Sequence, residues 1–336
     1  MRSRAWRLAA IVLASIAVTA CGCSPGGGNS PTGLPEGIFG MELQTDLMKD
    51  YGKMFAMMDE VGVQWVRIGA GWAKLEPSAG RFEFSALDAM VGAARSHGMS
   101  LLVTVTAISP WGSTKAPAKA GKQSYMAASP PAEMNRYSAF IEAVVARYRG
   151  QGIAWQLENE PNAPAFWSGT LDQYLELLKA GYAAAHRADP EAVVLPAGLA
   201  CGFSGKQTLE SDLASTRSWY DAIMDSGAFD ALDAHDYYPP EQNNPFGLTF
   251  RGYLREVRGW MEAKGVDVPL WVSEAGISSA PFEFGRGTAS FTPEQQVADL
   301  RLIYGEAAAE GVPHVFWYKL VDTPEGVFTD MGLLTN

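Results

Sequence analysis

The sequence predicts an α/β fold, a (β/α)8 TIM barrel whose eighth helix is short or missing. From about residue 37 onward, eight short β-rich runs alternate with stretches in which apolar residues recur at three- and four-residue spacing. This alternation is typical of strand–helix units around a parallel sheet. The chain has 336 residues, and a barrel of this kind commonly takes about 250. We therefore expect one barrel domain over residues 37–336.

Each predicted strand except the last is followed by a predicted helix. Pro131 and Pro293 suit the first turns of two helices, where a missing N–H costs nothing. Glycines at positions 62, 98, 265 and 311 suit left-handed caps at helix ends. After the eighth strand too few residues remain for a full helix. The predicted strands are residues 37–43, 64–70, 100–106, 153–160, 192–197, 229–237, 269–275 and 313–319, and the predicted helices are residues 47–61, 84–97, 131–148, 171–188, 216–226, 252–264 and 293–310.

The N-terminus predicts export. Residues 1–20 combine a basic start with an apolar run, as in a signal peptide, and that run is shorter than the roughly 20 residues of a membrane span. Residues 18–21 resemble the lipobox of bacterial lipoproteins, which predicts a lipid on Cys21 and a place in the cell envelope. Cleavage by an ordinary signal peptidase, giving a secreted protein, is the alternative. Residues 21–36 are rich in glycine, serine and proline and predict a flexible tether.

Charge and cysteine content exclude several kinds of partner. The formal net charge is −11, which disfavours nucleic acid and anionic membrane surfaces and leaves neutral or cationic ligands compatible. The membrane is expected to be contacted only through the N-terminal lipid. Three cysteines cannot build a disulfide framework, and no Cys/His spacing indicates zinc. We expect no cofactor and no metal, and a monomeric protein.

Two glutamates lie at the ends of strand-like apolar runs, Glu160 as the last residue of the fourth predicted strand and Glu274 near the end of the seventh. Because the carboxyl ends of barrel strands meet at one face, we expect the two side chains to meet there. Such a pair is suited to cleaving a glycosidic bond, since one carboxyl donates a proton to the leaving oxygen and the other attacks the sugar carbon. Glu158 shares the parity of Glu160 and is its rival, with a structural role expected.

Side-chain parity predicts a polar barrel interior. Residues of one parity along a barrel strand face the lumen. Polar groups at such density are costly unless they are paired or used, so their convergence favours a site over simple structural pairing. The predicted inward set is Arg67, Glu158, Glu160, Asp233, His235, Tyr237, Glu274, Trp317 and Lys319.

Two motifs give a family resemblance. The pattern Trp-x-x-x-Asn-Glu-Pro-Asn at residues 155–162 and Ser-Glu-x-Gly at residues 273–276 resemble clan A of the glycoside hydrolases. Residues 160–190 are similar to family 39, the β-xylosidase and α-iduronidase group, with some features like those of family 5. The resemblance spans about residues 37–320.

The resemblance implies a role for each matched residue. Glu160 would be the acid/base and Glu274 the nucleophile of a retaining glycosidase. The other implied roles concern the sugar and the nucleophile: Asn159 would bind the sugar 2-hydroxyl, Arg67 and Tyr237 would keep Glu274 ionised, His235 would line the sugar pocket, and Trp317 would form its floor.

Three tryptophans, Trp72, Trp111 and Trp167, follow the second, third and fourth predicted strands and are candidate platforms for sugar rings. Packing inside the protein is their alternative role.

Other functions stay open at this stage. A catalytically inactive carbohydrate-binding lipoprotein would have no need of an acid and a nucleophile, and a transglycosylase would use the same pair. A metal-dependent amidohydrolase is disfavoured because the four histidines form no His-x-His pair.

Overall fold

The computed structural model describes most of the chain after residue 36. The predicted signal peptide, the tether and Cys21 lie outside the described residues. No helix among the residues that are described is long and apolar enough to cross a membrane. The described residues are 37–44, 50–115, 118–119, 126–201, 209–238, 240, 243–279, 282–284, 287–289, 292–322 and 330–334.

Eight parallel strands form a barrel, as the sequence predicts. Their order around the barrel is β5-β4-β3-β2-β1-β8-β7-β6, in which neighbours are consecutive along the chain apart from the pairing of β1 with β8. The strands are β1 (Phe39–Leu43), β2 (Trp65–Gly71), β3 (Ser100–Thr106), β4 (Ile153–Leu157), β5 (Val193–Pro196), β6 (Leu232–Asp236), β7 (Leu270–Ala275) and β8 (Val315–Trp317).

Eight helices lie within the described residues. One short helix, α2, is absent from the prediction. Pro293 begins the last helix as predicted, whereas the prediction for Pro131 is wrong because that residue pairs with Ser113 and the helix begins three residues later. The helices are α1 (Tyr51–Glu60), α2 (Trp72–Leu75), α3 (Ser85–Ser96), α4 (Met134–Arg147), α5 (Leu171–Ala188), α6 (Leu209–Ser226), α7 (Phe250–Lys264) and α8 (Pro293–Ala309).

Asp230 joins β5 and β6, the first and last strands in the order given above. The Asp230 carboxylate accepts a bond of 2.8 Å from the Val194 N–H, and the Asp230 N–H donates to the Val194 carbonyl at 2.8 Å. The same carboxylate contacts the Tyr182 hydroxyl and His186 on α5. Asp230 therefore closes the barrel between β5 and β6 and ties that seam to a helix.

Replacing Asp230 with alanine should lower stability. The change leaves the Val194 N–H without its partner, and an unsatisfied buried donor costs about 1–3 kcal/mol. Urea unfolding should show this loss in Asp230→Ala, whereas Asp225→Ala, which removes an exposed partner of Lys264, should change little. Equal stabilities for the two variants would contradict the role of Asp230 in joining β5 to β6.

In the described part of the chain no helix follows β8, in agreement with the predicted short or missing eighth helix. Helix α8 instead reaches across to β1, where the Tyr304 ring stacks on Phe39 at 4.3 Å and its hydroxyl donates to the Gly40 carbonyl at 2.7 Å. Residues 331–334 run beside residues 319–322, and Leu333 and Leu334 are buried. Helix α8 and residues 331–334 thus pack against β1 and against the residues that follow β8.

An apolar plug fills the amino-terminal part of the barrel interior. Trp65 and Trp271 meet edge to face at 5.3 Å, and His314 packs against both rings. Phe316 completes the aromatic part of this cluster. Above the plug, toward the carboxyl end, the interior holds a layer of polar side chains, and this is the end at which a barrel carries its site.

Candidate active site

Two irregular strand pairings change which side chains face the interior. The register of β6 and β7 shifts after Ala234, so that Ser273 and Glu274, although adjacent, both reach the interior. A second shift between β7 and β8 lies next to Trp317. The prediction that Glu274 faces the interior is correct, but the regular alternation on which it relied does not hold. On the N-terminal side of the shift, Trp271 faces the lumen and the residues next to it do not.

Gln156 organises the polar layer above the plug. Its side-chain oxygen accepts bonds from Arg67 Nε and Nη2 at 3.0 and 2.8 Å and from the Thr104 hydroxyl at 2.7 Å. Its side-chain nitrogen donates to Asp233 and to the Ser273 hydroxyl. Because every one of these groups is buried, Gln156 fixes the guanidinium of Arg67 in one orientation.

Arg67 and Tyr237 hold Glu274 in its ionised form. Arg67 Nη1 lies 2.5 Å from Glu274 Oε1, and the Tyr237 hydroxyl donates to Glu274 Oε2. Burial alone would raise the pKa of Glu274, but the charges of His235 and Arg67 and the Tyr237 hydrogen bond outweigh burial and lower that pKa. The carboxylate is therefore suited to act as a nucleophile.

Glu160 lies in a different environment, in which its hydrogen-bond partner is a histidine and not an arginine. His235 Nδ1 lies 2.9 Å from Glu160 Oε1, while His235 Nε2 lies 2.8 Å from the Ser273 hydroxyl. Burial raises the pKa of Glu160, and the bond from His235 opposes this without cancelling it. One carboxyl with a raised pKa and one with a lowered pKa are the arrangement that acid and nucleophile roles require.

The backbone turns sharply where β4 ends. Glu158 and Glu160 have φ of 75° and 44°, a left-handed conformation that is uncommon outside glycine. The Glu158 N–H donates to the Val105 carbonyl and the Glu160 N–H to the Gly198 carbonyl, at 3.0 and 3.1 Å. These bonds to β3 and to the end of β5 hold the turn that directs Asn159 toward Arg67 and Glu160 toward His235.

Glu160, His235 and Glu274 converge. One ligand atom from each lies within 4.8 Å of the other two, which brings an oxygen of Glu160 within that distance of an oxygen of Glu274. By spacing alone the three side chains could hold a metal ion. Arg67 already places a positive charge against Glu274, which works against a second cation at this position.

A cleft of about 210 Å³ opens over this pair. Its aromatic walls are Phe166, Tyr237 and Tyr318, and the two tyrosine rings meet edge to face at 5.7 Å. Arg67 and Asn159, two predicted sugar-binding residues, lie in its lining, where Arg67 Nη2 donates to Asn159 Oδ1 at 2.8 Å. The full lining is Glu42, Gln44, Arg67, Gly69, Thr104, Thr106, Ile108, Ala128, Glu158, Asn159, Glu160, Phe166, Tyr237, Glu274 and Tyr318.

The structure does not place the predicted tryptophan platforms in the cleft. Trp72 is fully buried, and its indole N–H donates to Glu76 at 2.8 Å. Trp111 is half-buried, stacks edge to face on Trp72 and donates to the Glu76 carbonyl at 2.9 Å. Trp167 is buried and donates to the Thr170 carbonyl. The indole N–H of each ring therefore bonds within the protein, and each ring packs against protein side chains or backbone.

Two further predicted positions need correction. Trp317 is fully buried in the core outside the barrel, since it pairs with Met41 and Ala275 on the outward side of the sheet. The next residue, Tyr318, lies in the cleft instead and accepts a hydrogen bond from Gln44. His235 is also fully buried and does not line the cleft, so it contacts Glu160 rather than a sugar.

Sequence reasoning missed Glu42 and Gln44 at the end of β1. Glu42 Oε2 lies 2.5 Å from Arg67 Nη1, the same nitrogen that contacts Glu274. The signal was available, because Gly40 and Glu42 share one parity on the first predicted strand and Gln44, just after it, continues that parity. The position of Tyr318 had no such signal, since it depends on an irregular register.

The chain is similar to known proteins in part of its sequence and in its fold. Residues 46–189 match the family model Glyco_hydro_42, described as beta-galactosidase. The matched segment contains Glu160 and ends before Glu274. Among curated proteins no match was found.

Solved structures with the same fold include several glycosidases. A family 39 glycoside hydrolase from Bacteroides cellulosilyticus WH2 is 21% identical with a TM-score of 0.64, over 88% of this chain and 59% of its own. The monomeric beta-xylosidase from Caulobacter crescentus CB15 is 17% identical with a TM-score of 0.64, over 88% and 64%. The GH39 enzyme from Xanthomonas axonopodis pv. citri is 15% identical with a TM-score of 0.65, over 89% and 64%.

The chain thus spans less than two thirds of the length of these three structures. At identities of 15–21% the likeness is one of fold. Together with the family match, it confirms the predicted similarity to the clan A glycoside hydrolases, family 39 among them, whose barrel fold this chain shares.

Proposed function

We propose that this protein is a retaining glycoside hydrolase that cleaves O-glycosidic bonds of an oligo- or polysaccharide. The observation that carries the proposal is the pairing of Glu160 and Glu274, two buried carboxyl groups with opposite pKa shifts in one cleft. An oxygen of one lies within 4.8 Å of an oxygen of the other. Retaining enzymes keep their carboxyl groups about 5–5.5 Å apart, whereas inverting enzymes need about 6.5–9.5 Å to admit a water.

The chemistry runs in two displacements. In the first, the Glu160 carboxyl gives its proton to the glycosidic oxygen as the bond to the anomeric carbon breaks, and a Glu274 oxygen bonds to that carbon. In the second, the Glu160 carboxylate takes a proton from water, the water oxygen bonds to the anomeric carbon, and Glu274 leaves. Glu160 regains its proton, and the anomeric configuration is the same as at the start.

The alternatives use the same cleft and differ in outcome. A transglycosylase would pass the sugar from Glu274 to a second sugar hydroxyl instead of to water. An inactive carbohydrate-binding protein would gain nothing from the opposite pKa shifts of Glu160 and Glu274. Hydrolysis is favoured as the general case because it needs no acceptor site beyond the cleft.

The proposal is tested by measuring hydrolysis and the anomeric configuration of the product. Aryl glycosides of the common sugars, and plant, bacterial and host polysaccharides, are screened for release of product. NMR of the first product formed from an active substrate should show the anomer of the substrate. Initial release of the opposite anomer would overturn the retaining mechanism, and binding of sugars without any turnover would favour the binding protein.

Replacing Tyr237 with phenylalanine should move the acid limb of the pH profile. Activity needs Glu274 ionised, so it is lost as pH falls through the lowered pKa of Glu274, and it needs Glu160 protonated, so it is lost as pH rises through the raised pKa of Glu160. Without the hydroxyl that bonds to Glu274, the pKa of Glu274 rises. The acid limb should therefore shift to higher pH.

The expected loss in kcat/KM for Tyr237→Phe is about ten- to a hundredfold, as for a lost hydrogen bond to a charged group. The basic limb, which reports Glu160, should move less. An unchanged acid limb in Tyr237→Phe would contradict the role of Tyr237 in ionising Glu274. The matched control is Tyr238→Phe, which lies next in sequence outside the described lining of the cleft.

We also propose that the protein is exported and anchored to the bacterial cell envelope through a lipid on Cys21. The support is the signal-like segment, the lipobox-like residues 18–21 and the glycine-rich stretch after them. Mass spectrometry of the mature N-terminus should find an acylated Cys21. An unmodified cysteine would leave the secreted alternative.

A further inference from the structure

Arg67 is shared by two carboxyl groups of the cleft, Glu42 on β1 and Glu274 on β7. Its Nη1 atom lies 2.5 Å from Glu42 Oε2 and 2.5 Å from Glu274 Oε1. Both glutamates line the cleft. The mechanism proposed above uses Glu274 as the nucleophile and leaves Glu42 without a role.

The guanidinium of Arg67 uses all of its donors. It carries five N–H groups. Nε donates to Gln156 at 3.0 Å, and Nη2 donates to Gln156 and to Asn159, each at 2.8 Å. The two hydrogens of Nη1 remain for Glu42 and Glu274. Arg67 therefore cannot turn toward one carboxyl group without giving up another bond, and the two glutamates are coupled through its charge.

The charge of Arg67 needs a partner throughout the reaction, because the side chain is only 3% exposed. A buried charge that loses its partner is strongly destabilising. When Glu274 bonds to the anomeric carbon in the proposed first displacement, its carboxylate becomes a neutral ester. Among the ion pairs of the described residues, the one between Glu42 and Arg67 then remains.

The other carboxyl groups of the polar layer do not replace Glu42. Asp233 acts on Arg67, but it accepts its bond from the Gln156 amide rather than from the guanidinium. Glu160 gains a negative charge when it gives its proton to the leaving oxygen, and its hydrogen-bond partner is His235. Neither carboxyl group has a printed contact with Nη1 that could take over from Glu274.

The environment of Glu42 responds to the charge of Glu274. Burial raises the pKa of Glu42, the charge of Arg67 lowers it, the charge of Glu274 raises it and the charge of His235 lowers it. Lys319, after β8, also faces Glu42. Formation of the ester removes the charge of Glu274, so that the ionised form of Glu42 becomes more favourable at the stage at which Arg67 needs a partner.

We propose that Glu42 is a positioning residue that balances the charge of Arg67 while Glu274 is bonded to the sugar. This role rests on the proposed glycosidase function and is separate from those of the acid and the nucleophile. Any proton on Glu42 passes to water in the cleft, where the Glu42 side chain is 14% exposed. That proton returns when Glu274 leaves the sugar and regains its own charge.

Replacing Glu42 with glutamine should change the two displacements in opposite directions. Glu42→Gln keeps an oxygen for Arg67 and removes the charge, so the ester state loses its counter-charge. Glu274 should then attack the sugar more slowly and leave it more readily, because its own carboxylate is the partner that remains for Arg67. Each rate should change about tenfold, as for an interaction worth about one pKa unit.

A 2-deoxy-2-fluoro glycoside with an activated leaving group separates the two rates in the full chain. The rate of labelling measures attack by Glu274, and the rate at which activity returns in the isolated labelled protein measures its departure. Labelling should be slower and the return of activity faster in Glu42→Gln than in the parent, whereas a damaged fold would slow both. Parent rates, or two changes in the same direction, would overturn the proposal.

Two further variants serve as controls for these rates. Glu42→Asp keeps a carboxyl group and should change both rates less than Glu42→Gln does. Glu83→Gln removes a negative charge at an exposed position and should change neither rate. A Glu42→Asp variant that behaves like Glu42→Gln would contradict a role for the charge.

A titration of Glu42 tests the coupling without turnover. Glu274→Gln imitates the neutral ester, and in this variant the pKa of Glu42 should be lower than in the parent, because the charge of Glu274 is gone. Carboxyl ¹³C NMR of glutamate-labelled protein measures this pKa, with the Glu42 signal assigned by its absence from Glu42→Asp. An unchanged or raised pKa of Glu42 would overturn the proposal even if Glu42→Gln does not fold.

Failure of this proposal is distinguishable from failure of the proposed function. Labelling of the parent and of Glu42→Gln at equal rates would reject the role of Glu42 and keep the glycosidase. A lowered pKa of Glu42 in Glu274→Gln, with no hydrolysis of any glycoside by the parent, would support the charge coupling and reject the glycosidase.

Discussion

Replacing Glu274 with alanine should abolish hydrolysis, with a loss in kcat on the order of 10⁴-fold or more, because the nucleophile that forms the covalent intermediate is gone. The carboxylate is the one that Arg67 and Tyr237 keep ionised. Glu42 contacts the same Arg67 nitrogen, but burial raises the pKa of Glu42, so Glu42 is not held ionised as Glu274 is. Steady-state rates on an aryl glycoside measure this loss.

Azide separates a lost nucleophile from a damaged fold. In Glu274→Ala a small anion can occupy the space of the carboxylate and attack the anomeric carbon, while Glu160 still protonates the leaving oxygen. The product should be a glycosyl azide with the inverted anomer. Glu83→Ala, at an exposed position, should retain the parent rate. A near-normal rate for Glu274→Ala would reject the assignment of the nucleophile.

Replacing Glu160 with alanine should slow hydrolysis in a way that depends on the leaving group. General acid catalysis contributes about 10²–10⁴-fold, and that contribution matters only where the departing oxygen needs a proton. Substrates with alkyl and sugar leaving groups should therefore show the full loss in rate. A dinitrophenyl glycoside, whose phenolate leaves without a proton, should keep the parent rate for the first displacement. The basic limb of the pH profile should also disappear, since it reports Glu160.

The comparison between two substrates is the control for Glu160→Ala. A variant that is merely unstable loses activity on both leaving groups in proportion. An equal loss on the sugar and the dinitrophenyl substrates would contradict the role of Glu160 as the acid, and would direct attention to Glu158, the other carboxyl group at the end of β4.

Sequence patterns predicted the barrel well because each strand and each helix carries its own local pattern of apolar residues. Strand β3 and helix α5 have the predicted bounds, since period and burial agree throughout each segment. The joining of β5 to β6 could not be predicted in this way. It depends on one side chain, Asp230, whose partners lie on a strand and a helix distant in sequence.

The candidate site was predictable where regular strands deliver its side chains. Arg67 lies at a regular inward position of β2, and it meets Gln156 and Glu274 there. Parity reasoning fails where a strand is irregular, so that Ser273 reaches the interior unpredicted and Tyr318 replaces Trp317 in the cleft. A shift of one residue reverses the facing of every side chain beyond it.

The aromatic residues show a second limit of sequence reasoning. Trp72, Trp111 and Trp167 follow strand ends, as sugar platforms often do, yet each indole N–H bonds within the protein. Position along the chain does not distinguish a ring that packs in the core from a ring that can bind a ligand. The orientation of the ring determines its role, and that orientation depends on tertiary contacts such as the one between Trp72 and Phe140.

The central claim is that Glu274 forms a covalent bond to the sugar while Glu160 supplies the proton. A 2-deoxy-2-fluoro glycoside with an activated leaving group slows the second displacement, so that the intermediate accumulates. Peptide mass spectrometry of the trapped protein should then find the fluorosugar mass on Glu274 and none in Glu274→Ala. Labelling of another residue, or complete turnover through an inverted product with no adduct, would contradict the account.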